Sequence, residues 1–163
     1  MSKVENTTAS TLVIATLLAT SLIVAASGMV NFGTSAFAQG EQKKFTANLS
    51  GKDEVPPVDT TATGTSQFQL SADGKELNYN LTATNLNGFM MAHIHQGKTG
   101  ENGQPVAALS LGQGKITSSD LQGPLSGKQI SDLVDLMSNG GAYVNIHTQQ
   151  HQNGEIRGQI SSQ

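Results

Sequence analysis

After Gly40 the chain alternates between apolar and polar residues with a period of two. The alternation is clearest over residues 45–49, 67–70, 77–83, 142–147 and 156–160. Glycine-containing turn dipeptides separate these segments, at Asp73-Gly74, Asn87-Gly88, Asn102-Gly103 and Asn153-Gly154. A period of two gives a strand one apolar and one polar face, and such dipeptides favour tight turns between antiparallel strands. The sequence therefore predicts an all-β fold, an antiparallel β-sandwich or barrel of about seven to nine strands.

One segment has the spacing of a helix instead. Ser126 and Gln129 fit an N-cap and its partner three residues later. The apolar residues that follow at helical spacing are Ile130, Leu133, Val134 and Met137, and Gly140-Gly141 ends the run. This pattern predicts one short helix over residues 127–138, and a shorter helical turn is expected from Ser118.

The first 38 residues resemble a targeting segment. A short polar start with Lys3 leads into an apolar run from Thr11 to Val30, followed by Ala36-Phe37-Ala38. This order predicts a secretory signal peptide, residues 1–38, cleaved after Ala38. An apolar run of about 20 residues is also long enough to span a bilayer, so a retained N-terminal anchor is the alternative. In both cases residues 39–163 are expected to form a single domain, secreted or at the cell surface, that touches the membrane only through an uncleaved N-terminal segment.

The composition excludes several classes of protein. The chain has no cysteine, which rules out both a disulfide and a lipoprotein anchor. The net charge is −3 and the 9 Lys and Arg residues are scattered, whereas nucleic-acid binding requires a clustered basic face. No nucleic-acid partner is therefore expected.

The histidines suggest a metal site. His93 and His95 are two apart on a predicted strand, so their imidazoles share a face. His147 ends a second apolar strand, and His151 lies in the turn that follows. If the two strands are neighbours, these four histidines are candidate ligands for one copper or zinc ion. The alternative is a polar cluster, in which each histidine bonds a neighbour such as Asn145, Glu155 or Thr148.

Neighbouring residues have weaker metal-binding interpretations. Met90 and Met91 offer soft sulfur to Cu(I), but alternation places one of them in the core, and core filling is the favoured interpretation for methionine. Glu101 and Asn102 offer oxygen, although a solvated hairpin turn is favoured there. Glu155 and Arg157 share a strand face and are expected to form a surface ion pair.

Several blocks of sequence occur in a characteristic order. They are Ala47–Gly51, Glu54–Val58 and Thr60–Gly64, then Ala92–Gly97 and Gly103–Val106, then Gly141–Thr148 and Gly154–Ile160. Together they resemble the CHRD domain, the module repeated in the animal protein chordin, from Phe45 to Ile160. The resemblance implies an extracellular all-β domain without agreed catalytic residues. The turn after His147 departs from the family pattern, which usually has a proline there, so a role for His151 depends on spacing alone.

These observations leave three functions open. The first is a non-catalytic extracellular binding module with a mononuclear Cu or Zn site. The second is a metal-free domain that contacts an extracellular protein, a glycan or an envelope polymer. The third is a redox enzyme, because the His-x-His strand resembles the copper strand of copper-zinc superoxide dismutase. That sandwich, like the immunoglobulin sandwich, fits the predicted fold, but its two-metal site needs about six histidines; this chain has 4.

Overall fold

The computed structural model describes residues 42–163, and the predicted signal segment, residues 1–38, lies outside them. The described part contains nine strands and one α-helix. The strands are β1 (Lys44–Ser50), β2 (Thr63–Leu70), β3 (Glu76–Thr84), β4 (Phe89–Gln96), β5 (Pro105–Leu109), β6 (Gly112–Thr117), β7 (Ala142–Thr148), β8 (Ile156–Gln159) and β9 (Ser161–Ser162), and the helix is α1 (Ile130–Ser138). Within residues 42–163 no helix is long and apolar enough to cross a membrane.

The strands form one antiparallel sheet in the order β5-β4-β7-β8-β1-β2-β3-β6, and β9 pairs with β1. The two outermost strands, β5 and β6, are consecutive in the chain and joined by only Ser110 and Leu111. The sheet must therefore curl until its first and last strands approach each other, which makes it a nearly closed barrel. This confirms the predicted all-β fold with one short helix.

The inner face of the sheet holds the apolar core. Across β4 and β7, Ala92 pairs with Ile146 and Ile94 with Val144, and all four are buried. Directly opposed residues on antiparallel strands face the same side. The alternate pairs, His93 with Asn145 and His95 with Tyr143, therefore lie on the outer face.

Helix α1 begins later than predicted. A 3-10 turn at Gly123–Leu125 precedes it, and the N-cap is Gln129 rather than Ser126. The Gln129 N–H donates to the Asp132 carboxylate at 2.8 Å, so Asp132 provides the capping contact that the sequence analysis assigned to Gln129. The C-terminal end agrees with the prediction: Gly140, at φ +65°, donates to Met137 and Gly141 to Leu136, as in a Schellman motif. The expected helical turn at Ser118 is a 3-10 turn, Ser118–Asp120.

Two expectations about side-chain exposure are wrong. All seven residues of β7 are buried, although alternation predicts one solvent-facing side. The reason is that two loops, residues 51–62 and 97–104, cover the outer face of this strand. Conversely, Met90 and Met91 are each 44% exposed, so neither fills the core. Both lie near the start of β4, beside an irregularity in its pairing with β7.

Candidate metal centre

Strands β4 and β7 place three histidines together on the outer face of the sheet. His93 and His95 lie two apart on β4, and His147 lies on the neighbouring strand. Their ring centroids are 5.5 to 5.7 Å apart. One ring nitrogen from each lies within 4.8 Å of the other two. We call His93, His95 and His147 the histidine cluster.

Backbone carbonyls orient two of the three rings. The Nδ1 atom of His95 is 2.9 Å from the Gly103 oxygen, and that of His147 is 3.0 Å from the Gln152 oxygen. A carbonyl oxygen only accepts, so each Nδ1 must carry the hydrogen. In the neutral ring this leaves a lone pair on Nε2. Ligating histidines are oriented in this way, with one ring nitrogen donating to the protein and the other bound to the metal.

One nitrogen of each ring is buried and unpaired. Nε2 of His95, Nε2 of His147 and Nδ1 of His93 have no hydrogen-bond partner among residues 42–163. A buried polar atom without a partner costs about 1–3 kcal/mol, so three in one cluster require an explanation. Bonds of about 2.0–2.1 Å to copper or zinc would need these nitrogens roughly 3–4 Å apart. The present spacing of up to 4.8 Å is wider than that geometry by roughly 1 Å.

The surroundings keep the histidines neutral. Burial lowers the pKa of His95 to about 4. Burial also lowers the pKa of His93 and of His147. Near neutral pH the three rings are therefore unprotonated, which is the form that binds a metal ion.

A stack of three planar groups supports the cluster from one side. The ring of His95 lies 5.0 Å from that of Tyr143 at an interplanar angle of 14°. The guanidinium carbon of Arg157 lies 3.4 Å from the centre of the same tyrosine ring. The Tyr143 hydroxyl accepts a hydrogen bond from the Gly103 N–H at 3.1 Å. The orientation of His95 thus depends both on the loop above it and on this stack.

Arg157 is 2% exposed and fixes the loop 97–104. Its guanidinium donates to the carbonyls of Lys98 and Glu101, at 3.0 and 2.8 Å, and to the side-chain oxygen of Asn102 at 3.2 Å. Asn102 in turn donates to the Val55 carbonyl at 2.8 Å, which joins the two covering loops.

Two buried carboxylates lie at the other covering loop: Glu54 is part of it, and Glu155 is bonded to it. Glu54 accepts a hydrogen bond from the Asn145 side chain at 3.3 Å, and Glu155 accepts one from Thr60 at 2.8 Å. Burial raises the pKa of Glu54 from 4.5 to about 7, although the charge of Arg157 acts in the opposite direction.

Replacement of Glu54 by glutamine should have a pH-dependent effect on stability. Because its pKa is raised, the folded state holds a proton that the unfolded state releases between about pH 4.5 and 7. The ionisation of this carboxyl group therefore lowers the free energy of unfolding as the pH rises through that window. We expect Glu54→Gln to be more stable than the wild type at about pH 8 and to lose that advantage at about pH 5.

Urea unfolding of both proteins at the two pH values measures this difference. The histidines titrate in both proteins, so the comparison isolates Glu54. Glu101→Gln, at an exposed position, is the control, and its free energy of unfolding should match that of the wild type at both pH values. An advantage of equal size at the two pH values would contradict the prediction.

The comparisons with known proteins identify the family. The CHRD domain family model matches residues 45–160, which contain the histidine cluster, both covering loops and strands β2 to β8. The chain belongs to the CHRD domain family. No curated protein and no solved structure gives a significant match. The family match confirms the resemblance that the sequence blocks indicated.

In this CHRD domain the four predicted ligands do not all meet. Among the described residues His93, His95 and His147 form the group with ligand spacing, and His151 is outside it. The turn that contains His151 is held by its own backbone: the His151 carbonyl accepts from Thr148 and Gly154. Its residues line a groove with the segment 54–58.

Other contacts of the side chains also differ from those predicted from the sequence. Glu155 and Arg157 are both buried and bind Thr60 and the loop carbonyls, so the expected surface pair is wrong. The loop that contains Glu101 and Asn102 is not a plain solvated turn, because it holds Arg157 in place. The alternative histidine partners, Asn145, Glu155 and Thr148, are replaced by two carbonyl groups.

Tyr143, Glu54 and the Gly103 backbone contribute to the site without having been predicted from the sequence. Tyr143 shares its phase on β7 with Asn145 and His147, so the period of two was a usable signal for it. Nothing local in the sequence indicates that Glu54 is buried or that the Gly103 carbonyl lies beside a histidine. Those facts depend on where the loops fold.

Proposed function

We propose that this CHRD domain is an extracellular binding module that holds one transition-metal ion, copper or zinc, through His93, His95 and His147. The observation that carries the proposal is the arrangement of ring nitrogens. Carbonyls fix two of the rings, one nitrogen of each ring is buried without a partner among the described residues, and one ligand nitrogen from each ring lies within 4.8 Å of the other two. Three imidazoles leave at least one coordination position for water or for a group of a partner.

Charge and burial agree with this proposal. A hydrogen-bonded polar cluster would pair its nitrogens with nearby donors, whereas one buried nitrogen of each of these neutral rings has no partner among the described residues. Acceptors in such an arrangement can be satisfied by a proton, a water molecule or a metal ion. The lowered pKa values disfavour the proton. A single ion satisfies all three atoms at once.

Isothermal titration calorimetry of the purified protein with Zn(II) and with Cu(II) tests the proposal. We expect saturable one-to-one binding in the wild type and a loss of affinity of more than roughly tenfold in His147→Ala, because even an outer partner of a ligand contributes about 10- to 100-fold. His151→Ala is the matched control, since it removes a histidine outside the cluster, and it should bind like the wild type. Circular dichroism checks that each variant keeps the β fold.

Two results would contradict the proposal. One is the absence of saturable binding in the wild type. The other is an equal effect of His147→Ala and His151→Ala, which would indicate nonspecific binding by surface imidazoles.

A second candidate function is a metal-free interaction domain, and one surface favours it. The outer faces of β2, β3 and β6 present a row of amide side chains, Gln67, Gln69, Asn78, Asn80 and Gln113, around a shallow depression. Neutral amides in such a row suit weak hydrogen bonding to a glycan, an envelope polymer or an extracellular protein. A partner bound there would keep its affinity in the histidine variants.

A further inference from the structure

One methionine lies beside the histidine cluster. Met91 is directly opposite His147 across β4 and β7, and it precedes His93 by two residues on the same strand. Both relations place it on the outer face of the sheet. Opposed residues have Cβ atoms about 4.5–5.5 Å apart, which a flexible methionine side chain readily spans.

The exposure of Met91 is not explained by packing. It is 44% exposed, whereas Met137 in α1 is 1% exposed and fills the core. Exposing a large apolar side chain contributes nothing to the core. A thioether on the strand position opposite His147 does have a chemical use, because soft sulfur binds Cu(I) and is a poor ligand for Zn(II).

We infer that Met91 is a fourth ligand of the site and makes it a copper site that holds Cu(I) as well as Cu(II). This inference rests on the proposed function, since it requires the histidine cluster to bind a metal. It specifies which metal the site prefers and which atom, Sδ of Met91, sets that preference. His93, His95 and His147 supply the nitrogens common to copper and zinc, and the sulfur adds affinity for Cu(I) alone.

The chain supplies a matched control. Met90 is adjacent to Met91 and equally exposed, at 44%, but it lies at the pairing irregularity and is not paired with any residue of β7. Met91→Leu and Met90→Leu remove the same sulfur atom from neighbouring positions and keep similar volume and hydrophobicity. Both side chains are exposed, so neither variant is expected to impair folding.

The experiment is a competition titration of Cu(I) against a chromogenic Cu(I) chelator under anaerobic reducing conditions, together with Zn(II) calorimetry on the same proteins. We expect Met91→Leu to weaken Cu(I) binding by roughly tenfold or more, at least as much as the loss of an outer partner of a ligand. Zn(II) affinity should not change, and Met90→Leu should bind both ions like the wild type.

X-ray absorption spectroscopy gives a second readout. The chain has no cysteine, so a sulfur scatterer around bound Cu(I) must be a methionine. That scatterer should be present in the wild type and in Met90→Leu and absent in Met91→Leu.

The outcomes separate this inference from the proposed function. If the wild type binds both ions and Met91→Leu changes neither affinity, the role of Met91 is wrong while the histidine site remains. Equal weakening of Cu(I) and Zn(II) in Met91→Leu would mean that the residue acts on packing, which also overturns the inference. Failure of the wild type to bind either ion overturns both proposals.

Discussion

Gly103→Ala should disrupt the histidine cluster without changing any candidate ligand. Gly103 contacts the cluster twice through its backbone: its carbonyl accepts from His95 Nδ1, and its N–H donates to the Tyr143 hydroxyl. A Cβ atom at this position would overlap the backbone carbonyl of Gln96 at the end of β4. Because the obstacle is backbone, the loop itself must shift.

The shift has two measurable consequences. Overpacking of this kind costs about 1–3 kcal/mol of the free energy of unfolding, and we expect the upper end of that range. His95 would lose the carbonyl that fixes its tautomer, so metal affinity should fall by roughly 10- to 100-fold. Chemical denaturation and metal titration measure the two effects separately.

Gly100→Ala, in the same loop, is the control. A Cβ there meets no atom within 4 Å, although the backbone is left-handed at φ +82°. We expect it to lose about 1–2 kcal/mol through backbone strain and to keep its metal affinity. If both variants lost affinity to the same extent, general loosening of the loop would be the cause and the specific role of the Gly103 carbonyl would be wrong.

The sequence was sufficient to predict which histidines share a strand face, but it left the pairing of the two strands as a condition. Alternation at Ala92–His95 and at Val144–His147 assigns each side chain to a face, because period two is a local property of a strand. Whether the two strands are neighbours is not local, but the family order of the blocks and the turn signals favoured an antiparallel barrel or sandwich. Once β4 and β7 are paired, His93, His95 and His147 must share the outer face.

The environment of the cluster could not be predicted in the same way. Arg157 and Lys98, whose hydrogen bond fixes the covering loop, are 59 residues apart in the chain. No periodicity shows that a loop will return over the polar face of a strand and bury it. The strand pattern therefore predicted a half-exposed β7, whereas the structure has a strand buried on both faces.

Two capping patterns overlap in the sequence just before α1. Ser126 and Gln129 form one possible N-cap pair, and Gln129 with Asp132 forms another in the same stretch. The sequence pattern does not rank them. The 3-10 turn at Gly123–Leu125 delays the helix, and the second pair is the one that caps it.

Arg157→Met should be the most destabilising single change at the outer face. Methionine has nearly the size of the arginine stem but donates no hydrogen bond. The carbonyls of Lys98 and Glu101 and the side-chain oxygen of Asn102 would each lose a donor. A hydrogen bond to a charged group contributes about 1.5–3 kcal/mol, and three are lost here, so we expect the free energy of unfolding to fall by roughly 3–5 kcal/mol.

Lys115→Met is the matched control, because it also replaces a cation that contacts an acceptor. Lys115 binds Glu76 at 2.7 Å, but its side chain is 59% exposed. Water can replace that contact, so the variant should unfold at nearly the same denaturant concentration as the wild type.

The Arg157→Met substitution should also weaken metal binding by the histidine cluster. Without the guanidinium, the loop 97–104 loses its main fixed point, and the face of Tyr143 opposite His95 loses its stacking partner. We therefore expect Arg157→Met to weaken metal binding even at temperatures where the domain remains folded, and Lys115→Met to leave it unchanged. A folded Arg157→Met variant with wild-type metal affinity would show that β4 and β7 alone hold the three imidazoles in place, and the loop would then act only as a cover.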